Sequence, residues 1–344
     1  MTSFKKYFSY QLKRSLPRLS TIALISLLIT MIFTRLDLIL YENVFLSFTD
    51  VTLALPFIMI TLCITIPILE LAPFKNRRNL DTLMFLPVSR LKMSIAHYLN
   101  GLVQIVSVFL LCSLYTLFYL LKKINDFSLI LGYVEVPFSI NYFVPYVIFI
   151  LLFGIAIYSI YMFVISSAGT LIDGIAFQLF YSVGLFFVAL AIKNILAGFT
   201  SLKFYNAENF IIFDPIIDLP YHFKKLMLLE KWDLTAIDYI SFIMWGILGI
   251  ASIFGFILTF KKQKAEKIGD ISTSVFGYKT LIPVLGYSMM ISVDTSLDLG
   301  FQLLLILAMY VGYIIYRRSA RLKKADYICL ASSILPIFLS LIIH

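Results

Sequence analysis

Long apolar stretches alternate with short charge-rich ones along this chain, and that alternation predicts helices that cross a bilayer. A helix rises about 1.5 Å per residue, so roughly 20 apolar residues cover a hydrocarbon core of about 30 Å. Val51–Leu71, Ile95–Leu121, Phe143–Ile165, Leu171–Ile192 and Tyr239–Phe260 meet that length plainly. Leu16–Phe33, Phe301–Tyr316 and Tyr327–Ile343 are shorter candidates, and Leu281–Val293 crosses only if its helix starts earlier, near Phe276. The pattern predicts nine spans, or eight if that weakest segment stays out.

Ahead of the first span, Phe4, Phe8, Leu12 and Leu16 recur every four residues, with Lys5, Lys6, Lys13 and Arg14 between them. This spacing predicts an amphipathic helix over residues 1–18, lying in the interface plane before the chain turns into the membrane. No small-residue cleavage site follows the apolar stretch, so the basic start does not read as a signal peptide.

Composition excludes a soluble or disordered chain. Of 344 residues 61% are hydrophobic and only 14% charged, against about 45–50% and about 25% in soluble domains. The net charge of +9 first suggests a polyanion, but its placement gives another meaning. With a cytoplasmic N-terminus, 20 of the 28 Lys and Arg residues fall in inside segments and 8 in outside ones. Such a bias is the positive-inside rule, with attraction to anionic inner-leaflet lipid, and it leaves no case for nucleic acid. Cys63, Cys112 and Cys329 all lie in apolar runs without C-x-x-C spacing and read as small buried hydrophobes.

Chemistry-bearing motifs are largely missing. No glycine is followed by Lys, so the chain has no phosphate-binding P-loop. His97, His222 and His344 form no H-E-x-x-H pair. Gly269-Asp270 lacks the preceding glycine of a G-x-G-D protease motif, and no Ser/His/Asp set stands out by spacing. The ionisable residues within spans are Glu70, closing the second, and Asp173, opening the fifth. Either residue reads as a helix end reaching the interface or as a functional group inside the membrane. Tyr142, Phe143, Tyr146, Trp232 and Tyr239 sit near span ends, as interfacial belts do.

The segment 72–92 is basic and amphipathic. Leu80, Leu83 and Met84 share a helical face, Arg77, Arg78 and Asp81 face away, and Pro87 ends the helix near Leu86. Such a helix serves either as a handle for a soluble partner or as a membrane-surface strut.

The run from Arg78 through Asp81 to Leu86-Pro87-Val88-Ser89-Arg90 resembles the cytoplasmic loop of ABC transporter permeases of the type 2 class, which have the type V exporter fold. Members carry an acidic residue near the end of span two, an arginine-containing helix, and Leu-Pro-x-x-Arg before span three. The resemblance implies that Glu70, Arg77, Arg78, Asp81, Leu83, Met84, Leu86, Pro87 and Arg90 form the coupling region that docks on an ATPase subunit. After span six, Lys264, Glu266 and Gly269 lie in a stretch similar to the basic-x-x-Glu-x-x-Gly segment of Gram-positive permeases of the Ytr type. Some relatives continue past the final span into an extracellular domain; this sequence ends at His344, as a short member or a truncated one would.

Residues 193–238 form the long outer loop. Its piece Phe210-Ile-Ile-Phe213-Asp214-Pro215-Ile-Ile-Asp-Leu-Pro220 is too apolar for water, and its prolines cut it too short to span. Short re-entrant helices satisfy that composition, and the resemblance implies them between spans five and six. Phe210, Phe213, Asp214, Pro215 and Pro220 are then candidates for an outer gate, or for a packed cap.

The expected architecture is an all-α polytopic membrane bundle. An interfacial helix (1–18) precedes a six-span exporter-like core (19–260), with two or three further spans in 261–344. The resemblance implies a non-catalytic permease in a bacterial cell membrane, paired with a second copy or paralogue. It binds no cofactor itself; ATP and Mg sit on separate ABC ATPase subunits, and the cargo is an amphipathic peptide, antibiotic or lipid-like molecule. The alternatives are an ion-coupled carrier using Asp173 and Glu70, or a non-transporting sensor or scaffold subunit.

Overall fold

The computed structural model describes residues 2–40, 47–76, 88–131, 143–199, 236–262, 276–292, 299–317, 319 and 321–343. All regular structure among them is helical. The elements are α1 (Thr2–Leu40), α2 (Ser47–Lys75), α3 (Arg90–Leu131), α4 (Phe143–Ser167), α5 (Leu171–Phe199), α6 (Ala236–Lys262), α7 (Tyr278–Ser292), α8 (Leu299–Arg317), α9 (Lys324–Ser332) and α10 (Ile334–Ile343). Six helices among the described residues are long and apolar enough to cross a membrane: Phe4–Thr34, Ala54–Lys75, Arg90–Lys122, Phe143–Ser167, Ile243–Lys262 and Gly300–Arg317. The protein is an all-α polytopic membrane helical bundle.

Surface chemistry agrees. Leu307 is 63% exposed and Ile315 70% exposed on α8, and α1, α3 and α6 show comparable apolar stripes. Water does not tolerate that much contiguous apolar surface on a monomer; lipid does.

Three segments differ from the sequence expectation. First, the amphipathic start and the first span are one helix, α1, which passes through Pro17 without a turn. Second, α7 starts at Tyr278, and its 15 described residues give about 22 Å of rise. Third, Tyr327–Ile343 is divided at Ser333 into α9 and α10. Pro336 explains that break, since it has no N–H to give the Ser332 carbonyl and its ring crowds that oxygen.

The helices pack in two units, each described by itself. In the first are α1, α2 to Pro73, α3, α4 to Phe163, and α6. Leu55, Ile58, Met59, Leu62 and Cys63 of α2 are buried, with Phe109 of α3, Tyr146 and Tyr158 of α4, and Phe256 of α6. Polar tips are satisfied inside: the Tyr158 hydroxyl donates to the Tyr98 carbonyl at 3.0 Å, and Tyr98 pairs with Ser159 at 2.8 Å. Cys63 and Cys112 are buried free thiols, while Cys329 is half-buried.

The second unit holds the last residues of α2, the end of α4, and α5 with α7 to α10. Helix α5 thus packs with the C-terminal helices. α7 is its centre, flanked by α5, α8 and α10, with Met290, Leu305 and Met309 at the core. Arg317, at the end of α8, grips the Asp326 carboxylate in the first turn of α9 through two hydrogen bonds of 2.9 Å.

Two predictions follow from these contacts. A Cβ at Gly249 lies 2.9 Å from Ala156 Cβ and 3.0 Å from its Cα, while one at Gly246 meets nothing within 4 Å. Gly249→Ala should therefore lower thermal stability in detergent by about 1–3 kcal/mol, the usual cost of overpacking, and Gly246→Ala should not; matching midpoints would refute this close approach of α6 to α4. The hydrogen bonds from Arg317 hold the Asp326 carboxyl below the usual carboxylate range. A depressed folded value stabilises above the unfolded value of about 3.9 and fades as pH falls through the folded one. Asp326→Asn should lower the midpoint at neutral pH and flatten the acid limb below about pH 4, as thermal scans across pH would register.

Candidate functional site

Glu70 lies near the end of α2, 2% exposed, in an otherwise apolar helix. Lipid supplies no hydrogen bonds, so such a carboxylate needs protein donors. α3 supplies three: His97 Nδ1 at 3.0 Å from Oε2, Asn100 Nδ2 at 3.0 Å from Oε1, and Gln104 Nε2 at 2.9 Å from Oε1. Their spacing of three and four residues puts them on one helical face. α1 supplies the counter-ion, Arg18, whose Nη2 bonds Oε1 and whose Nη1 donates to the Leu69 carbonyl at 3.1 Å.

A second layer comes from the same face of α1. The Tyr7 hydroxyl is 2.9 Å from His97 Nε2 and accepts from Gln11 Nε2 at 3.0 Å. Ser15 Oγ donates to Asn100 Oδ1 at 3.2 Å. One consistent proton order runs from Gln11 to Tyr7 to His97 to Glu70, each group donating to the next. Tyr7, Gln11 and Ser15 are buried, whereas Leu16 and Tyr10 are exposed. α1 therefore packs a polar stripe inward.

Beside the network lies a cleft of about 100 Å³, lined by Gln11, Arg14, Ser15, Arg18, Leu69, Glu70, Pro73, His97 and Asn100. Among the described residues no three His, Cys, Asp or Glu side chains gather as a metal site would require.

In the second unit, Lys75 is buried and its ammonium donates to the Ser166 carbonyl at 3.0 Å and to that of Ala168. A cation there complements the C-terminal dipole of α4. Asp173, in the first turn of α5, complements the opposite pole; its backbone N–H is capped by Thr170 Oγ1 at 3.0 Å, and Tyr278 donates to its Oδ1 at 2.9 Å.

Of the coupling residues expected from sequence, Glu70 is the buried centre described above, and Arg90 is exposed at the first position of α3. Arg77, Arg78, Asp81, Leu83, Met84, Leu86 and Pro87 lie outside the described residues, as do Phe210, Phe213, Asp214, Pro215, Pro220, Lys264, Glu266 and Gly269. Sequence reasoning missed Tyr7, Gln11, Ser15, Arg18, His97, Asn100 and Gln104. Their signal was polar residues recurring every three or four positions on helices that are otherwise apolar.

No protein-family model, curated protein or solved structure matches this chain.

Glu70 is buried while Arg18 is 30% exposed, so the cost of about 3–5 kcal/mol for breaking a fully buried pair is an upper bound here. Glu70→Gln and Arg18→Gln should each strongly lower the thermal midpoint of the purified chain, while the double variant should lose clearly less than their sum. Strictly additive losses in that cycle would show that the two side chains do not act as a pair.

Proposed function

We propose that this chain is the membrane-spanning permease subunit of an ATP-driven transporter of the type 2 ABC class. It pairs with a second copy or a paralogue, works on separate ATPase subunits that hold ATP and Mg, and exports an amphipathic peptide, antibiotic or lipid-like cargo across a bacterial cell membrane. The observation that carries this reading is the network at Glu70. Glu70 sits two residues before the basic segment 72–92, and its bonds tie α1 and α3 to α2. A push on that segment is passed to three helices together, as coupling to an external motor requires.

The helix ends support a partner-facing role. Arg90 and Lys92 occupy the first turn of α3, which has no acidic residue. Cations at a helix N-terminus oppose its dipole by about 0.3–1 kcal/mol each, so the dipole does not account for them. In this reading, ATP-driven closure of the ATPase pair presses on Arg78–Arg90, and α2 carries the displacement inward.

The buried Glu70 carboxylate is also what an ion-coupled carrier would use, with Asp173. Proton-gradient-driven transport by the purified chain without any ATPase would favour that alternative. The permease reading expects an adjacent reading frame with a P-loop, and expects Arg90→Glu to reduce co-purification with that ATPase or to uncouple its hydrolysis from cargo. Binding and cargo-stimulated hydrolysis both unaltered in Arg90→Glu would remove the coupling assignment.

A further inference from the structure

The cleft beside Glu70 is more than the edge of a structural network, and its inventory of donors is unbalanced. Two guanidiniums, Arg14 and Arg18, border it with one carboxylate, and Gln11, Ser15, His97 and Asn100 add polar groups. Glu70 is already answered by four side chains. Arg18 Nε is buried and has no acceptor among the described residues. Arg14, exposed at the mouth, makes no ion pair among the described residues. A buried N–H without an acceptor is costly, and each such group in a native structure asks for a missing partner.

We propose that this cleft binds an anionic phosphate group between the guanidiniums of Arg14 and Arg18, both of which line it, the Arg18 side chain being 30% exposed. Guanidinium forks match phosphate oxygens in geometry as well as charge. The cleft, with a volume of about 100 Å³ and open to the surroundings, has room for a group of phosphate size. Lys5, Lys6 and Lys13 are exposed on the same N-terminal turns, as on a segment lying at the headgroup level of an anionic leaflet. The phosphate is that of a lipid headgroup or a free anion; both share this chemistry. The proposal stands independently of any ATPase partner.

The test uses the purified full chain in detergent, with native mass spectrometry against phosphatidylglycerol and phosphatidylcholine, and thermal unfolding with inorganic phosphate. A lipid site predicts one retained phosphatidylglycerol per chain, weakened at least about tenfold by Arg14→Gln. Lys13→Gln should cost no more than about fivefold, the general attraction of one surface cation. A free-anion site predicts instead that inorganic phosphate raises the midpoint of the wild type and not of Arg14→Gln, without retained lipid. Equal losses in Arg14→Gln and Lys13→Gln, or neither retention nor protection in the wild type, would overturn the proposal. Arg14 is exposed and outside the Glu70 bonds, so folding is not at stake.

Discussion

A carboxylate carried into a membrane bundle must be answered by neighbouring helices, because hydrocarbon offers it nothing. Glu70 meets that demand with Arg18 from α1 and with His97, Asn100 and Gln104 from α3. The demand fixes more than one side chain. It sets the rotation of α1, so that Tyr7, Gln11 and Ser15 face inward. It also sets the register of α1 against α3, since each polar partner has one counterpart one or two turns away. Interhelical hydrogen bonds in membranes are worth only about 0.6–1.7 kcal/mol each. A cluster of them around one ion pair still outweighs packing among apolar side chains that lipid would accommodate equally well.

How much of this was legible in the sequence depends on which force decides each element. Spans are set by length and apolarity, both written in the chain, and α2, α3, α4 and α6 fall where the pattern puts them. α1 shows the limit. Of the period-four series, Phe4, Phe8 and Leu12 are half-buried and Leu16 is exposed. The complementary stripe of Tyr7, Gln11, Ser15 and Arg18 reads, from one strand of sequence, as a solvated face. Only the matching series on α3 shows that these residues are buried, and matching two helices requires their contact.

Prolines show the same limit. Pro17, Pro56, Pro67 and Pro73 all sit within continuous helices, while Pro336 coincides with the break at Ser333. The local cost is alike at every site: a lost hydrogen bond and a crowded carbonyl. The outcome differs with what surrounds the freed oxygen, which sequence does not state. Ser332 is exposed and near a helix end, where breaking costs little. The candidate site divides similarly. Glu70 is visible as an acid at the end of an apolar run, but its burial and its donors are tertiary facts.

Charges at helix ends finally separate stability from function. Lys75 lies on the closing carbonyls of α4, Asp173 lies in the opening turn of α5, and Arg317 lies in the closing turn of α8. All three agree with the dipoles they meet. Arg90 and Lys92, opening α3, do not. Under the proposed orientation this end of α3 faces an anionic leaflet, where each cation gains about 1 kcal/mol. That equals or exceeds the 0.3–1 kcal/mol that the dipole takes away. The sign of these two charges is therefore not explained by the dipole of the helix they open.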